Sequence, residues 1–243
     1  MSILLAALAV LIGGLLKGAI GAGVPIVAAP ALTILFDVQT AVAVMVVPNL
    51  ISNLWQGWQF RAQALGGRFL WMFAAGGVLG VAVGTAMLAL LPQQALALMV
   101  ALAVLAFIAL RLSRPDWTLS RRLGERFSGP AGALGGLLQG ATGISAPASI
   151  TFLNAMRLPR ETFIGTISIF FIAMTAMQFG ALWGAGLLSV EKLGYGAAAM
   201  ALVAAAMPLG SWLGKRLSPR VFDRMLLVLL AAIAARILFD VLF

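Results

Sequence analysis

The amino-acid sequence predicts an all-α integral membrane protein made of two inverted repeats, each a re-entrant broken-helix hairpin followed by three transmembrane helices. Three observations support this prediction. The chain of 243 residues is 63% hydrophobic and 9% charged, well outside the range of soluble domains. One glycine-rich motif occurs twice, 122 residues apart. The basic residues collect on one face of the membrane if each motif segment enters and returns to its own side.

Composition also excludes several classes of protein. The net charge is +9, but the basic residues lie in short clusters between apolar runs, as expected beside a membrane rather than on a nucleic-acid surface. Cysteine and histidine are absent, so we expect no disulfide, haem or zinc site, and no metal or cofactor. The longest polar stretch, residues 111–126, cannot form a soluble core, which leaves a single transmembrane domain.

The first element is the broken apolar segment 3–36. Its motif "GGLLKGAIGAGVP", Gly13 to Pro25, aligns with "GGLLQGATGISAP", Gly135 to Pro147, with eight identities in thirteen positions. A cleaved leader would not be repeated in mid-chain, so the segment belongs to the fold. Glycine permits a sharp turn and proline favours the first helical turn. We therefore expect a second half-helix to begin at Pro25 and another at Pro147.

Three long apolar spans follow each broken segment. Repeat 1 (1–113) then contains 3–36, 38–60, 69–91 and 95–113, a cytoplasmic loop covers 114–127, and repeat 2 (128–243) contains 129–156, 161–184, 193–213 and 221–243. Helical legs at 3–16 and 25–36 would be about 18 to 21 Å long, short of the roughly 30 Å hydrocarbon core. We therefore expect the two tips to meet near the membrane midplane.

The distribution of charge decides between crossing and re-entry. If each broken segment crosses the membrane, the basic residues outside the spans divide eight to six between the two faces. If each segment is re-entrant, Lys192 lies on one face and thirteen residues on the other: Arg61, Arg68, Arg111, Arg114, Arg121, Arg122, Arg126, Arg157, Arg160, Lys215, Arg216, Arg220 and Arg224. The second arrangement obeys the positive-inside rule. It inverts the second copy and places both termini outside.

The two breaks are candidate anion sites. The N-terminus of a half-helix presents free amides and a positive dipole end, and discontinuous helices in both halves of an inverted repeat indicate a transporter site. The alternative is that these residues only permit tight packing. The candidate substrate-binding residues at the breaks are Gly21, Ala22, Gly23, Val24 and Pro25, and Thr142, Gly143, Ile144, Ser145, Ala146 and Pro147.

Deep polar side chains extend this candidate site. Asn49, Asn53 and Gln56 form one helical stripe, and the shift of 122 pairs the last two with Thr175 and Gln178. Carboxamide donors suit an oxyanion, but interhelical hydrogen bonding is an equal alternative.

One candidate residue is charged. Lys17 could attract an anion or extend its amine towards the membrane surface. The second copy has Gln139 at the equivalent position, so the charge is not duplicated.

The segments "GGLLKGAIGAGVPIVAAPAL", "GGLLQGATGISAP" and "FLNAMRLPRETFIGTISIF" resemble the sulfite exporter TauE/SafE family, also called the TSUP permeases, over the whole chain. The resemblance implies a multi-pass protein of a prokaryotic inner membrane. It also implies transport of a small sulfur-containing anion such as sulfite, sulfoacetate or another organosulfonate. A proton or sodium ion is the candidate coupling ion, and the sequence assigns no oligomeric state.

Two other classes of protein are alternatives to a transporter. An anion channel would share the composition. An intramembrane enzyme needs a positioned base or metal, whereas histidine, cysteine and a "GxSxG" motif are absent and no deep pair of carboxylates is evident. Asp37 and Glu161 could carry a coupling proton, but both precede long spans, where a solvated carboxylate is ordinary. Glycines spaced by four, at 76, 80 and 84 and at 180 and 184, predict close helix contacts.

Overall fold

The computed structural model describes residues 2–113, 117–216 and 219–242. Within those ranges the chain forms ten helices and no strand: α1 Ser2–Ile20, α2 Val24–Leu35, α3 Val38–Gln59, α4 Gly67–Leu90, α5 Gln93–Ser113, α6 Arg121–Thr142, α7 Ser149–Ala155, α8 Arg160–Gly184, α9 Val190–Arg216 and α10 Pro219–Leu242. The all-α prediction is confirmed for these residues.

Six of the described helices are long and apolar enough to cross a bilayer: α1, α3, α4, α5, α8 and, over Val190–Gly214, α9. A helix of about 20 apolar residues matches the thickness of the hydrocarbon core. The prediction of a multi-pass membrane protein therefore agrees with the observed helix lengths.

Two predicted boundaries were wrong. Helix α1 does not stop at residue 16 but continues for 19 residues to Ile20, which is about 28 Å at 1.5 Å per residue. Leg length therefore no longer argues for re-entry of the first hairpin. The predicted loop 114–127 is helical from Arg121 onwards, because the side chain of Ser120 accepts a hydrogen bond from the backbone N–H of Leu123 and caps α6.

Helices of one half of the chain pack mainly on helices of the other half. Helix α1 packs on α9, and its counterpart α6 packs on α4. Helix α3 contacts α9, while its counterpart α8 contacts α4; α3 packs on α8, and α5 packs on α10. The largest contacts between the halves thus occur in equivalent pairs, and the first helix of each half has its main partner in the opposite half.

Small residues allow the α1–α9 and α4–α6 pairs to approach closely. A Cβ atom added at Gly18 would overlap the carbonyl oxygen of Met207, and one added at Gly136 would overlap that of Gly77. Gly76, Gly80 and Gly84 of α4 face the backbone of α6 in the same way, so the predicted close contact at these three glycines is confirmed.

The same prediction was wrong for the two glycines of α8, Gly180 and Gly184. No atom of the described structure lies within 4 Å of a Cβ built at Gly180 or Gly184. Both glycines face outward from α8. Spacing by four residues identifies a helix face, but it does not identify the partner of that face.

Candidate functional site

The first break lies between α1 and α2. The backbone N–H of Gly21 donates to the carbonyl oxygen of Lys17 at 2.8 Å, and Gly21 and Gly23 have φ of +80° and +123°, a region that favours glycine. Helix α2 begins at Val24 with Pro25 in its first turn, as predicted. Residues 21–25 are all buried. In the described part of the chain, the backbone N–H groups of Ala22 and Gly23 have no acceptor.

The second break repeats this backbone geometry. The N–H of Gly143, which has φ of +74°, donates to the carbonyl oxygen of Gln139 at 2.8 Å. The bond from Ala148 N to Ser145 O at 3.1 Å matches that from Ile26 N to Gly23 O at 3.0 Å. Shifting the chain by 122 residues superposes both hydrogen bonds. Residues 142–147 are all buried, as the candidate site requires.

The second half-helix was predicted wrongly in detail. Helix α7 begins at Ser149, two residues after Pro147, and contains seven residues. The hydroxyl of Ser145 pairs with the hydroxyl of Ser149 at 2.9 Å and makes no cap to a helix N–H. The hydroxyl of Thr142 donates to Leu138 O at 2.7 Å and so closes the end of α6. The second break is therefore a turn with internally bonded hydroxyls.

The two breaks lie against opposite ends of the α3–α8 pair. These helices are antiparallel, because Gly57 of α3 faces Ser168 whereas Asn49 bonds Thr175. A Cβ at Gly21 would overlap Ile164, near the start of α8. At the other end of the pair, a Cβ at Gly143 would lie 3.4 Å from Val42, near the start of α3. The same Cβ at Gly143 would lie 3.3 Å from Ala29 Cβ, and Ala29 is six residues, or about 9 Å along α2, past Gly23. The second break therefore packs against α2, and the meeting of the two tips at the membrane midplane stays a prediction.

Between the breaks runs a chain of buried side-chain hydrogen bonds. Lys17 Nζ donates to Asn53 Oδ1 at 2.8 Å. Asn53 Nδ2 donates to Asn49 O at 2.7 Å and to Asn49 Oδ1 at 2.9 Å. Asn49 Nδ2 donates to Thr175 Oγ1 at 3.0 Å. The structure therefore joins four of the candidate residues, contributed by α1, α3 and α8.

A second cluster lies one turn further along α8. Gln178 Nε2 donates to the backbone oxygen of Gln139 at 3.2 Å, and Gln139 Nε2 donates to Gln178 Oε1 at 3.4 Å. Gln56 is buried, and its Oε1 has no hydrogen-bond partner within the described residues. We call the six residues Lys17, Asn53, Asn49, Thr175, Gln178 and Gln139 the buried polar column.

The charge of the column comes from one residue. Lys17 is 1% exposed, and among the described residues its side chain bonds only Asn53 and forms no ion pair. The carboxylate of Asp37 caps α3 through Thr40, and that of Asp240 pairs with Arg236 at 2.9 Å. A buried cation next to a neutral amide is costly in a membrane and indicates a functional site.

Sequence reasoning missed one residue near the first break. Arg160, at the start of α8, donates from its guanidinium to the carbonyl oxygen of Ala19 at 3.1 Å. A basic side chain at the C-terminal end of a helix satisfies an orphan carbonyl group and complements the helix dipole. The charge of Arg160 was visible in the sequence, but its partner lies 141 residues away, so no local pattern could have shown this contact.

Comparison with known protein families identifies this chain by its similarity to one family model. The model of the family described as "Sulfite exporter TauE/SafE" matches residues 5–237. No curated protein and no solved structure matches the chain.

Proposed function

Because this chain belongs to the sulfite exporter TauE/SafE family, we propose that it is a secondary transporter that moves a small sulfur oxyanion across the membrane. The family consists of transporters and not of enzymes. The observation that carries the proposal is Lys17, which is 1% exposed and hydrogen-bonded to a neutral amide. A bound anion would supply the opposite charge that this buried amine lacks among the described residues.

The first break adds further donors to the proposed site. Lys17 lies one helical turn before Gly21, whose N–H bonds the Lys17 carbonyl oxygen. The free N–H groups of Ala22 and Gly23 and the N-terminal end of the 12-residue α2 follow directly. Main-chain N–H groups at a helix N-terminus attract anions. Lys17 and this first break therefore form the proposed entry end of the site.

We propose that the polar column carries the anion onward from this end. Asn53 and Asn49 lie one turn apart on α3, and Thr175 and Gln178 lie one turn apart on α8. Lys17 Nζ, the Thr175 hydroxyl and the second N–H of several amides retain hydrogens for a ligand. Asn53 and Thr175 are fully shielded from solvent, so access requires helices to move, as in a transporter and unlike an open pore.

Purified protein in detergent should be stabilised by a sulfur oxyanion. We expect at least one of sulfite, thiosulfate and sulfoacetate to raise the unfolding temperature more than small carboxylates or chloride at equal ionic strength. A ligand at 100 times its Kd adds about 2.7 kcal/mol to the stability of the folded state. Flux into liposomes driven by a proton or sodium gradient would distinguish a coupled transporter from a channel. Equal stabilisation by all anions, without sulfur-anion flux, would contradict the proposed function.

We further propose that the two halves are inverted repeats with re-entrant breaks and both ends outside. The charge bias and the exchanged helix contacts support this topology. Cysteines can test it, because the chain has none. We expect Ser2→Cys and Ala185→Cys to react with an impermeant thiol reagent from outside, and Thr118→Cys only from the cytoplasm. All three positions are exposed. Labelling of Ser2→Cys only from the cytoplasm would rule out this topology.

A further inference from the structure

The orientation of two buried amides is fixed by a main-chain group. Gln178 Nε2 donates to the backbone oxygen of Gln139 at 3.2 Å, and a backbone oxygen can only accept. Gln178 Oε1 therefore turns towards the side chain of Gln139, which must present its Nε2 there, at 3.4 Å. Reversing the Gln139 amide would bring two oxygens together. Because Nε2 of Gln139 faces Gln178, the remaining polar atom of the Gln139 side chain must be its oxygen, Oε1.

Gln139 Oε1 has no hydrogen-bond donor within the described part of the structure, although Gln139 is only 4% exposed. Buried polar atoms without a partner are rare and costly. This one belongs to the buried polar column, because Gln139 bonds Gln178, and Gln178 lies one turn from Thr175 on α8. The end of the column opposite Lys17 thus offers an acceptor to a ligand.

An acceptor is unexpected in a site for anions. The oxygens of an oxyanion and a carbonyl oxygen are both negative, so they repel each other unless a hydrogen lies between them. Neither the hydroxyl of Thr175 nor the amides of Asn49 and Asn53 donate to Gln139. A ligand at the Gln139 end of the column would accept hydrogen bonds through its oxyanion group from the unused hydrogens of the Thr175 hydroxyl and the Gln178 amide, and would donate one to Gln139 Oε1.

We propose that Gln139 Oε1 selects sulfur oxyanions that carry a hydrogen-bond donor of their own. This inference rests on the proposed function and names the substrate class within it. The class includes the hydrogen sulfite ion and sulfonates that bear a hydroxyl or ammonium group. It excludes, as good substrates, sulfonates with a purely aliphatic remainder. The first half of the chain supplies the amine at Lys17, and the second half supplies the acceptor at the equivalent position.

The test compares two sulfonates that differ in one hydroxyl group, isethionate (2-hydroxyethanesulfonate) and ethanesulfonate, as inhibitors of sulfite uptake into proteoliposomes. We expect isethionate to inhibit the parent protein at about tenfold lower concentration. In Gln139→Leu the two concentrations should agree within about twofold. Taurine distinguishes an ammonium donor from a hydroxyl donor. Thr85→Val is the matched control. The Thr85 hydroxyl is also buried and has no partner among the described residues, but it lies on α4 outside the column, so the tenfold preference should remain.

The outcomes separate this inference from the proposed function. Absence of sulfite uptake by the parent protein would contradict the proposed function. Sulfite uptake with equal inhibition by both sulfonates, or with none by isethionate, would overturn the role of Gln139 alone. A preference that survives Gln139→Leu would do the same. If the leucine variant does not fold, Gln139→Met, which keeps the length of the side chain, takes its place, and the comparison on the parent protein needs no variant.

Discussion

Replacing Lys17 with glutamine is expected to weaken binding of the transported anion by about tenfold to a hundredfold. A charge-assisted hydrogen bond in a desolvated site contributes roughly 1.5 to 3 kcal/mol, which corresponds to that change in affinity. The fold should tolerate the change, since the second half of the chain has glutamine at the equivalent position, Gln139. A glutamine amide can also donate to Asn53 Oδ1, the present partner of Lys17.

Titration calorimetry or ligand-dependent thermal shift in detergent can measure this effect. Lys17→Arg should have an intermediate affinity, because a planar guanidinium keeps the charge but changes its geometry. Lys192→Gln is the matched control, since Lys192 lies on α9, which contributes no residue to the column, and on the predicted outer face, where it bonds Leu187 O at 2.9 Å. An affinity of Lys17→Gln within about twofold of the parent would mean that Lys17 only links α1 to α3 through its hydrogen bond to Asn53.

Alanine should lower stability at Gly80 of α4 but not at Gly180 of α8. A Cβ at Gly80 would overlap the carbonyl oxygen of Ala133 and lie 2.8 Å from Leu137 N. Gly80→Ala should therefore separate α4 from α6 and cost about 1 to 3 kcal/mol of folding free energy. At Gly180, no described atom lies within 4 Å of the same Cβ. Gly180→Ala should leave stability unchanged or raise it by up to about 1 kcal/mol through helix propensity.

Thermal unfolding of both variants in one detergent, followed by circular dichroism, checks this pair. The matched substitution cancels the general effect of adding a methyl group to a helix, so the difference between the variants reports the α4–α6 contact. Equal midpoints for Gly80→Ala and Gly180→Ala would show that the close approach of these helices contributes little to stability.

Much of the helical order was predictable because one sequence signal occurs twice. The shift that aligns Gly21 with Gly143 also aligns the hydrogen bonds around both breaks. It predicts that Lys17 and Gln139 have equivalent positions, and the C-capping bonds of both residues agree with this. Turn chemistry at glycine and proline is local, and local chemistry can be inferred from sequence.

The end of α1 and the partners of the polar side chains were not predictable. Helix α1 continues through Lys17 to Ile20, because no residue before Gly21 forces the helix to end; the break therefore lies four residues later in the chain than predicted. The stripe of Asn49 and Asn53 was recognised, but not that their amides bond each other and Thr175. Those bonds depend on how α3 faces α8, which is a tertiary property that periodicity does not encode.

Because α1 packs on α9 and α6 packs on α4, the two helix pairs can assemble only at different times during synthesis of the chain. Helix α4 is followed closely by α6, so that pair can assemble as soon as both have left the ribosome. Helix α1 must wait for α9 until residues 21–189 have been made, roughly 10 to 30 s at 5–20 residues per second. During that time its glycine face has lipid or the insertion machinery as its neighbour. Although the two halves of the fold are equivalent, they do not assemble at the same time. Helix α1, which carries the buried Lys17, acquires its main packing partner last.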